Sequence, residues 1–200
     1  MEIDPLDTVE KGRTIAQEGR SRWLNPAVAI TVALLATFMG ICKVKDDNIV
    51  QAMQQAQADK LDHWQFYQAR NIREEIAKST LVQLRLQAAA APPRMAAAYQ
   101  AQINSYEALA RNQSEKKETV KAQAERDQTT YDALNFRDDQ FDLSDALIAI
   151  AISLLAVASL TQLPWLYVVA LVPSGLGVLM GLAGLAGWGL HPDVFIRLLS

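Results

Sequence analysis

Hydrophobic and polar positions are not mixed evenly along this chain; they fall into blocks. Residues 27–42 and 143–190 carry almost no charge, while the stretch between them is dense in charged residues and glutamine. A soluble domain spreads its apolar positions periodically through every element. Uninterrupted apolar blocks of this length suit segments that cross a bilayer. Trp23 and Leu24 extend the first block to about the 20 residues that a ~30 Å hydrocarbon layer requires. Asn25 and Pro26 predict an N-cap followed by proline at the first helical position, and Trp23 suits an interfacial anchor. The segment reads as an uncleaved anchor, because 22 residues of mixed charge precede it and no small-residue cleavage site follows.

The second block, 143–160, holds a single charge, Asp145, close to its start. Residues 161–164 form a short turn, and the third block, 165–190, opens on Trp165 and Tyr167. Two spans joined by so short a turn must be antiparallel. The third span is rich in glycine, and Gly177 and Gly181 form a GxxxG pair of the kind that allows close helix packing in lipid.

The polar stretch 43–142 contains no glycine, and its prolines are Pro92 and Pro93. Its residues favour helix throughout, so the segment 88–94 is the one clear break. The arms on either side have 49 residues each, 43–91 and 94–142, enough for roughly 70 Å apiece at 1.5 Å per residue. The expected fold is all-α: three transmembrane helices (23–42, 143–160, 165–190) with a long, coiled-coil-like helical hairpin over 43–142. Tails of 1–22 and 191–200 flank it.

The return arm carries a seam at alternating steps of three and four: Tyr99, Ile103, Tyr106, Ala110, Val120, Ala124, Tyr131, Leu134 and Phe141. Gln113, Lys117, Asp127 and Asp138 occupy the other seam positions and should weaken it. On the outward arm Val50, Leu61 and Ile72 repeat every eleven residues, which hints at a straighter or slightly right-handed supercoil. The densest local pattern is Trp64, Phe66, Tyr67 and Gln68, read as a packing anchor between the arms or between subunits.

Composition and candidate chemistry narrow the function without naming it. The stretch 43–142 has 14 Lys/Arg against 15 Asp/Glu, which is no footprint for nucleic acid. The single cysteine, Cys42, rules out an intramolecular disulfide. His63 could join Asp59 in a surface metal site, but a solvated face accounts for both. Asp46-Asp47 and Asp138-Asp139 should sit at similar heights near the membrane, most simply as a solvated ring. No triad or phosphate loop is visible, so no enzymatic activity, cofactor or metal is expected.

These residues resemble a family. The pattern Asp62-x-Trp64-x-x-Tyr67-Gln68-Ala69-Arg70, a later Phe141-Asp142 before paired spans, and Leu160-Thr161 before an aromatic-led third span are similar to bacterial membrane proteins grouped as domain of unknown function 4337. The likeness covers about residues 25–187. It implies the same three-span architecture and no particular activity. Members that carry Lys/Arg between the last two spans place that turn in the cytoplasm, although here residues 161–164 are uncharged. The flanking basic residues do not decide, since Lys11, Arg13, Arg20 and Arg22 face Lys43, Lys45, Arg137 and Arg197. The expected placement is a bacterial inner membrane, with a cytoplasmic N-terminus and a periplasmic hairpin. The expected role is a membrane-anchored scaffold or interaction protein that self-assembles, with an unidentified protein partner also conceivable. The alternative is a subunit or regulator of a small channel or transporter.

Overall fold

A computed structural model of the chain describes the backbone of residues 5–190 and the side chains from Trp23 to Leu190. Among the described residues every regular element is helical: α1 spans Pro5–Ala90, α2 Ala96–Thr161 and α3 Pro164–Ala186, with a single 3-10 turn at Pro93–Met95 before α2. All three are long and apolar enough to cross a membrane. The chain forms two compact units, residues 1–50 with 134–200, and residues 51–133.

The ends of the helices follow from local chemistry. Pro92 is extended at φ -64°, ψ 149°, as a residue preceding proline must be, so α1 stops at Ala90 and cannot run through. The Met95 amide then bonds the Pro92 carbonyl at 2.9 Å and restarts the helix. Gln162, at φ 54°, turns the chain between α2 and α3, with Pro164 as the first residue of α3. Gly187 ends α3 in the left-handed region at φ 69°, where glycine carries no Cβ penalty. The third helix is therefore shorter than the apolar block, which runs on to 190.

The first helix also departs from expectation. It begins at Pro5 and passes through Pro26, so Asn25-Pro26 is not a helix start. Asn25 instead turns its side-chain oxygen across to α2, where it accepts from Ser159 Oγ at 3.1 Å and Gln162 Nε2 at 3.0 Å. The expected tail at 191–200 lies outside the described residues, as do the side chains of 1–22.

In the span-bearing unit, Leu24, Val28 and Leu35 of α1 pack with Ile148, Ala151 and Leu155 of α2 and Ala170 of α3. Trp23 meets Tyr167 edge-on with ring centroids 5.9 Å apart, and the Tyr167 hydroxyl is hydrogen-bonded to Thr31 Oγ1 at 3.0 Å. The opposite faces stay open: Ile30, Leu34, Val157, Leu160, Val168 and Val172 are exposed. Rows of exposed aliphatic residues with no protein cover are what lipid contact requires.

In the second unit α1 and α2 pair along their length. Lys60 reaches Gln128, Arg70 reaches Gln113 and Arg85 reaches Glu107, so numbers rise on one arm as they fall on the other and the arms are antiparallel. The buried residues of α1 are Met53, Ala56, Glu74, Ala77, Leu81 and Leu84, with Lys60, His63, Tyr67 and Arg70 half-buried at the intervening steps. These positions advance by alternating threes and fours, a heptad seam. Leu61 and Ile72 of the eleven-residue repeat lie on the other side of the helix and are exposed. That repeat does not mark the packing between the arms. On α2 the seam positions read from the sequence, from Tyr99 to Tyr131, are all buried or half-buried. Near the turn Leu81, Leu84 and Ile103 form an apolar cluster with Tyr99 and Tyr106, each full burial being worth about 1.5–3 kcal/mol.

Candidate functional site

Three polar constellations stand out against this apolar frame. The first lies in the span-bearing unit, just beyond the apolar stretch of α1. Asp46 occupies the inward face of that helix and is only 4% exposed, because it follows Leu35 and Cys42 on the buried side. Lys43 Nζ donates to its Oδ2 at 2.8 Å and lies 3.6 Å from Asp47 Oδ1. The hydrogen bond to Asp46 holds the Lys43 pKa above its ordinary value. The other oxygen, Asp46 Oδ1, has no donor, and the Asp46 carboxyl is in contact with that of Asp138 on α2.

Burial, the contact with Asp46 and the neighbouring Asp142 and Asp139 push the Asp138 pKa up to about 6. Burial and the Asp46 charge also raise Asp142. Beside these groups is a water-sized cavity of about 10 Å³ lined by Met39, Cys42, Lys43, Asp46, Phe141, Asp142, Ser144 and Asp145. The sequence predicts a solvated acidic ring at this point. Asp46 is instead buried, because the inward face of α1 continues past the apolar block.

The second constellation binds the end of α3 to α2. Helix termini leave carbonyls without intrahelical partners, and α2 supplies the donors. Arg137 donates to the Gly184 carbonyl at 3.0 Å, and the buried Gln140 amide donates to Trp188 and Leu190 carbonyls at 2.8 and 2.7 Å. The cationic Arg137 also complements the negative end of the α3 dipole. Phe141 lies beneath it, its ring within 3 Å of where a Cβ on Gly184 would stand. Gly177 and Gly181 face α2 and Phe38 of α1, so the GxxxG face is occupied within the chain.

The third sits midway along the paired arms. Glu74 is buried, with Lys78 Nζ 2.7 Å from Oε1 and Lys117 Nζ 2.7 Å from Oε2. Hydrogen bonds from Lys117 and Lys78 hold its pKa below the ordinary carboxylate value. Lys117 also donates to Asn71 at 3.2 Å and lies 6.0 Å from the Tyr67 ring. Nearby, His63 Nδ1 is 2.6 Å from Asp127 Oδ2, so His63 turns towards α2 and not towards Asp59, which accepts from Gln55. Among the described residues no set of three or more His, Cys, Asp or Glu side chains is arranged to hold a metal ion.

The aromatic anchor divides between two faces. Tyr67 is half-buried in the seam and Trp64 meets it edge-on at 5.3 Å, while Phe66 and Gln68 are exposed. Tyr99, Ile103 and Tyr106 gather near the turn, Tyr131 packs beside Lys60, and Phe141 belongs to the span-bearing unit. Asp46, Glu74, Gln140 and Ser144 carry most of the buried polar chemistry; the sequence pattern places Asp46 in a solvated ring and does not single out the other three. Glu74 was findable: it falls on the heptad defined by Ala77, Leu81 and Leu84.

Residues 24–187 match the family described as Domain of unknown function (DUF4337), and the chain belongs to that family. No curated protein and no solved structure matches it.

Proposed function

We propose that this protein is a membrane-anchored scaffold whose antiparallel arms form a coiled-coil hairpin and assemble with a second copy. The reading assigns it no catalytic activity. The supporting observation is a second apolar stripe on α1, facing away from the seam with α2. Leu61, Trp64, Ile72, Ile76, Val82 and Leu86 are all exposed, and at 100° per residue they fall within about 120° of one another. Leu61, Gln65, Gln68, Ile72, Glu75, Ser79, Val82 and Leu86 advance by alternating fours and threes, all of them exposed. This is the spacing by which one helix packs against another.

An identical helix offers the matching period, and the bilayer fixes both copies in the same orientation. The six exposed apolar residues form one apolar face along α1, and burying such a face is what drives association. The polar residues within the stripe leave the contact weaker than a full leucine zipper. In this reading the spans anchor the assembly in an inner membrane, with the N-terminus cytoplasmic and the hairpin outside.

Cysteine substitution in lipid vesicles tests the reading. Ile72→Cys should form disulfide-linked dimers on oxidation, and Arg70→Cys, on the seam between the arms, should not. A monomer by native mass measurement of the full chain in lipid would overturn it.

A further inference from the structure

The acidic contact in the span-bearing unit asks for a ligand that the rest of the chain does not supply. Asp46 is 4% exposed, and its Oδ1 has no hydrogen-bond donor. A buried carboxylate oxygen without a donor is costly. The Asp46 carboxyl is also in contact with that of Asp138, which has no N–H to give. Two ionised carboxylates in contact, one buried and one half-buried, repel. One proton placed between them removes both penalties, turning a repulsive pair into a carboxyl–carboxylate hydrogen bond.

The surroundings favour that ligand over a cation. From α1 the pair is faced by Lys43, whose ammonium is already engaged by Asp46 and Asp47. From α2 it is faced by Asp139 and Asp142, with Asp145 lining the adjacent cavity. Arg137, on the same helix, is directed at the Gly184 carbonyl. The third helix, from Pro164 to Ala186, contains no acidic or basic side chain. No set of three or more His, Cys, Asp or Glu side chains among the described residues is arranged to hold a metal ion. The adjoining cavity of about 10 Å³ is no larger than a single water. What fits is a proton.

We infer that Asp46 and Asp138 form a proton-binding site, and that its occupancy holds α1 to α2 beside the spans. With the proton bound, Asp138 donates to the Asp46 carboxylate. With it lost, two anions face each other on adjacent helices and the contact opens. The site thereby couples the packing of the unit to the acidity of the compartment it faces. The inference stands whether or not the chain self-assembles.

The Asp138 pKa is pushed up to about 6 by burial, the contact with Asp46 and the neighbouring Asp142 and Asp139. A carboxyl whose folded pKa exceeds its unfolded value binds more protons folded than unfolded. Its stabilising effect is therefore complete below the ordinary value of 3.8 and is lost as pH rises through about 6. The experiment uses the full chain in lipid nanodiscs, with thermal unfolding followed between pH 4.5 and pH 8. Wild type should lose thermal stability progressively from pH 4.5 up to about 6 and level off above it, and Asp138→Asn should flatten that loss. Infrared difference spectra of the folded protein supply a second readout, which needs only a wild-type chain and Asp46→Asn. A protonated-carboxyl stretch should disappear from wild type as pH rises through about 6, and Asp46→Asn should shift its midpoint down by about one unit or more. A wild-type spectrum without that band, or a midpoint that neither substitution moves, would overturn the inference.

Discussion

Ser144 on α2 donates its hydroxyl to the Gly177 carbonyl on α3 at 2.8 Å, and both residues are buried. The bond exists because Gly177 has no side chain. A Cβ there would stand 2.8 Å from Ile148 Cγ1, 3.1 Å from the Ser144 carbonyl and 3.2 Å from the Ile148 amide nitrogen. The last two are backbone atoms, so only separation of the helices relieves them. Gly177→Ala should destabilise the folded protein by about 1–3 kcal/mol, the usual cost of overpacking. Ser144→Ala removes only the hydrogen bond and should cost about 0.6 kcal/mol, at most ~1.7. Reversible unfolding in mixed micelles measures both, and the expected order is the glycine variant well below the serine variant.

The ion pair at Glu74 gives a prediction with a pH dependence. Its carboxylate is held below the ordinary value of 4.5 by Lys117 and Lys78, so it binds fewer protons folded than unfolded in that range. The stability it contributes is present above about 4.5 and is lost as pH falls through the depressed folded value. Glu74→Gln should lower stability at pH 7 by about 1–3 kcal/mol, because Lys117 loses its anion. The gap to wild type should narrow as the medium is made more acidic. A double-mutant cycle with Lys117→Met isolates the pair, and its coupling should fall at about 0.5–3 kcal/mol. Denaturant melts at pH 7 and at pH 3.5 decide it.

How much of this was legible in the sequence depends on where apolar and buried coincide. On α2 they coincide: Tyr99, Ile103, Tyr106 and Ala124 are both the apolar members and the inward ones, so the heptad could be read directly. On α1 they separate. The middle of its seam carries Lys60, His63, Arg70 and Glu74, whereas Leu61, Ile72 and Leu86 are exposed. Hydropathy therefore traced the outer stripe and reported an eleven-residue repeat. The spans were plain because lipid demands apolar residues on every face. Asp46 was not, since its burial depends on α1 continuing the same inward face past Cys42. The helix that starts at Pro5 was hidden by a proline that reads as a start.

The two faces of α1 can be separated by charge. Lysine at Ile72 adds a cation to an exposed position, so helicity and melting temperature should stay within the small range of surface substitutions. The proposed assembly should nevertheless dissociate, since the lysine faces its own copy across the interface. Lysine at Leu84 puts a charge into the buried cluster with Leu81 and Ile103 and should destabilise the arms themselves. Circular dichroism and sedimentation on the same samples distinguish the outcomes. Ile72→Lys is expected to change mass but not helicity, and Leu84→Lys to lower thermal stability.

The clasp at the end of α3 should act on local opening more than on global stability. Gln140 is 1% exposed and its amide donates to two carbonyls, Trp188 and Leu190. Both lie beyond Gly187, where the helix no longer supplies partners. Gln140→Leu keeps the side-chain volume nearly unchanged but leaves both carbonyls without their donor, a cost of about 1–3 kcal/mol if they stay buried. Trp188 and Leu190 are exposed residues, so the segment can instead swing towards water at lower cost. Amide exchange at 188–190 should then rise at least tenfold, while the Gly177–Ser144 region keeps its protection. Arg137→Met, which removes the donor to Gly184 inside the helix end, should extend the same loosening back into the last turn of α3. If exchange rises equally across all of α3 in Gln140→Leu, the clasp is part of the global core and its local role is refuted.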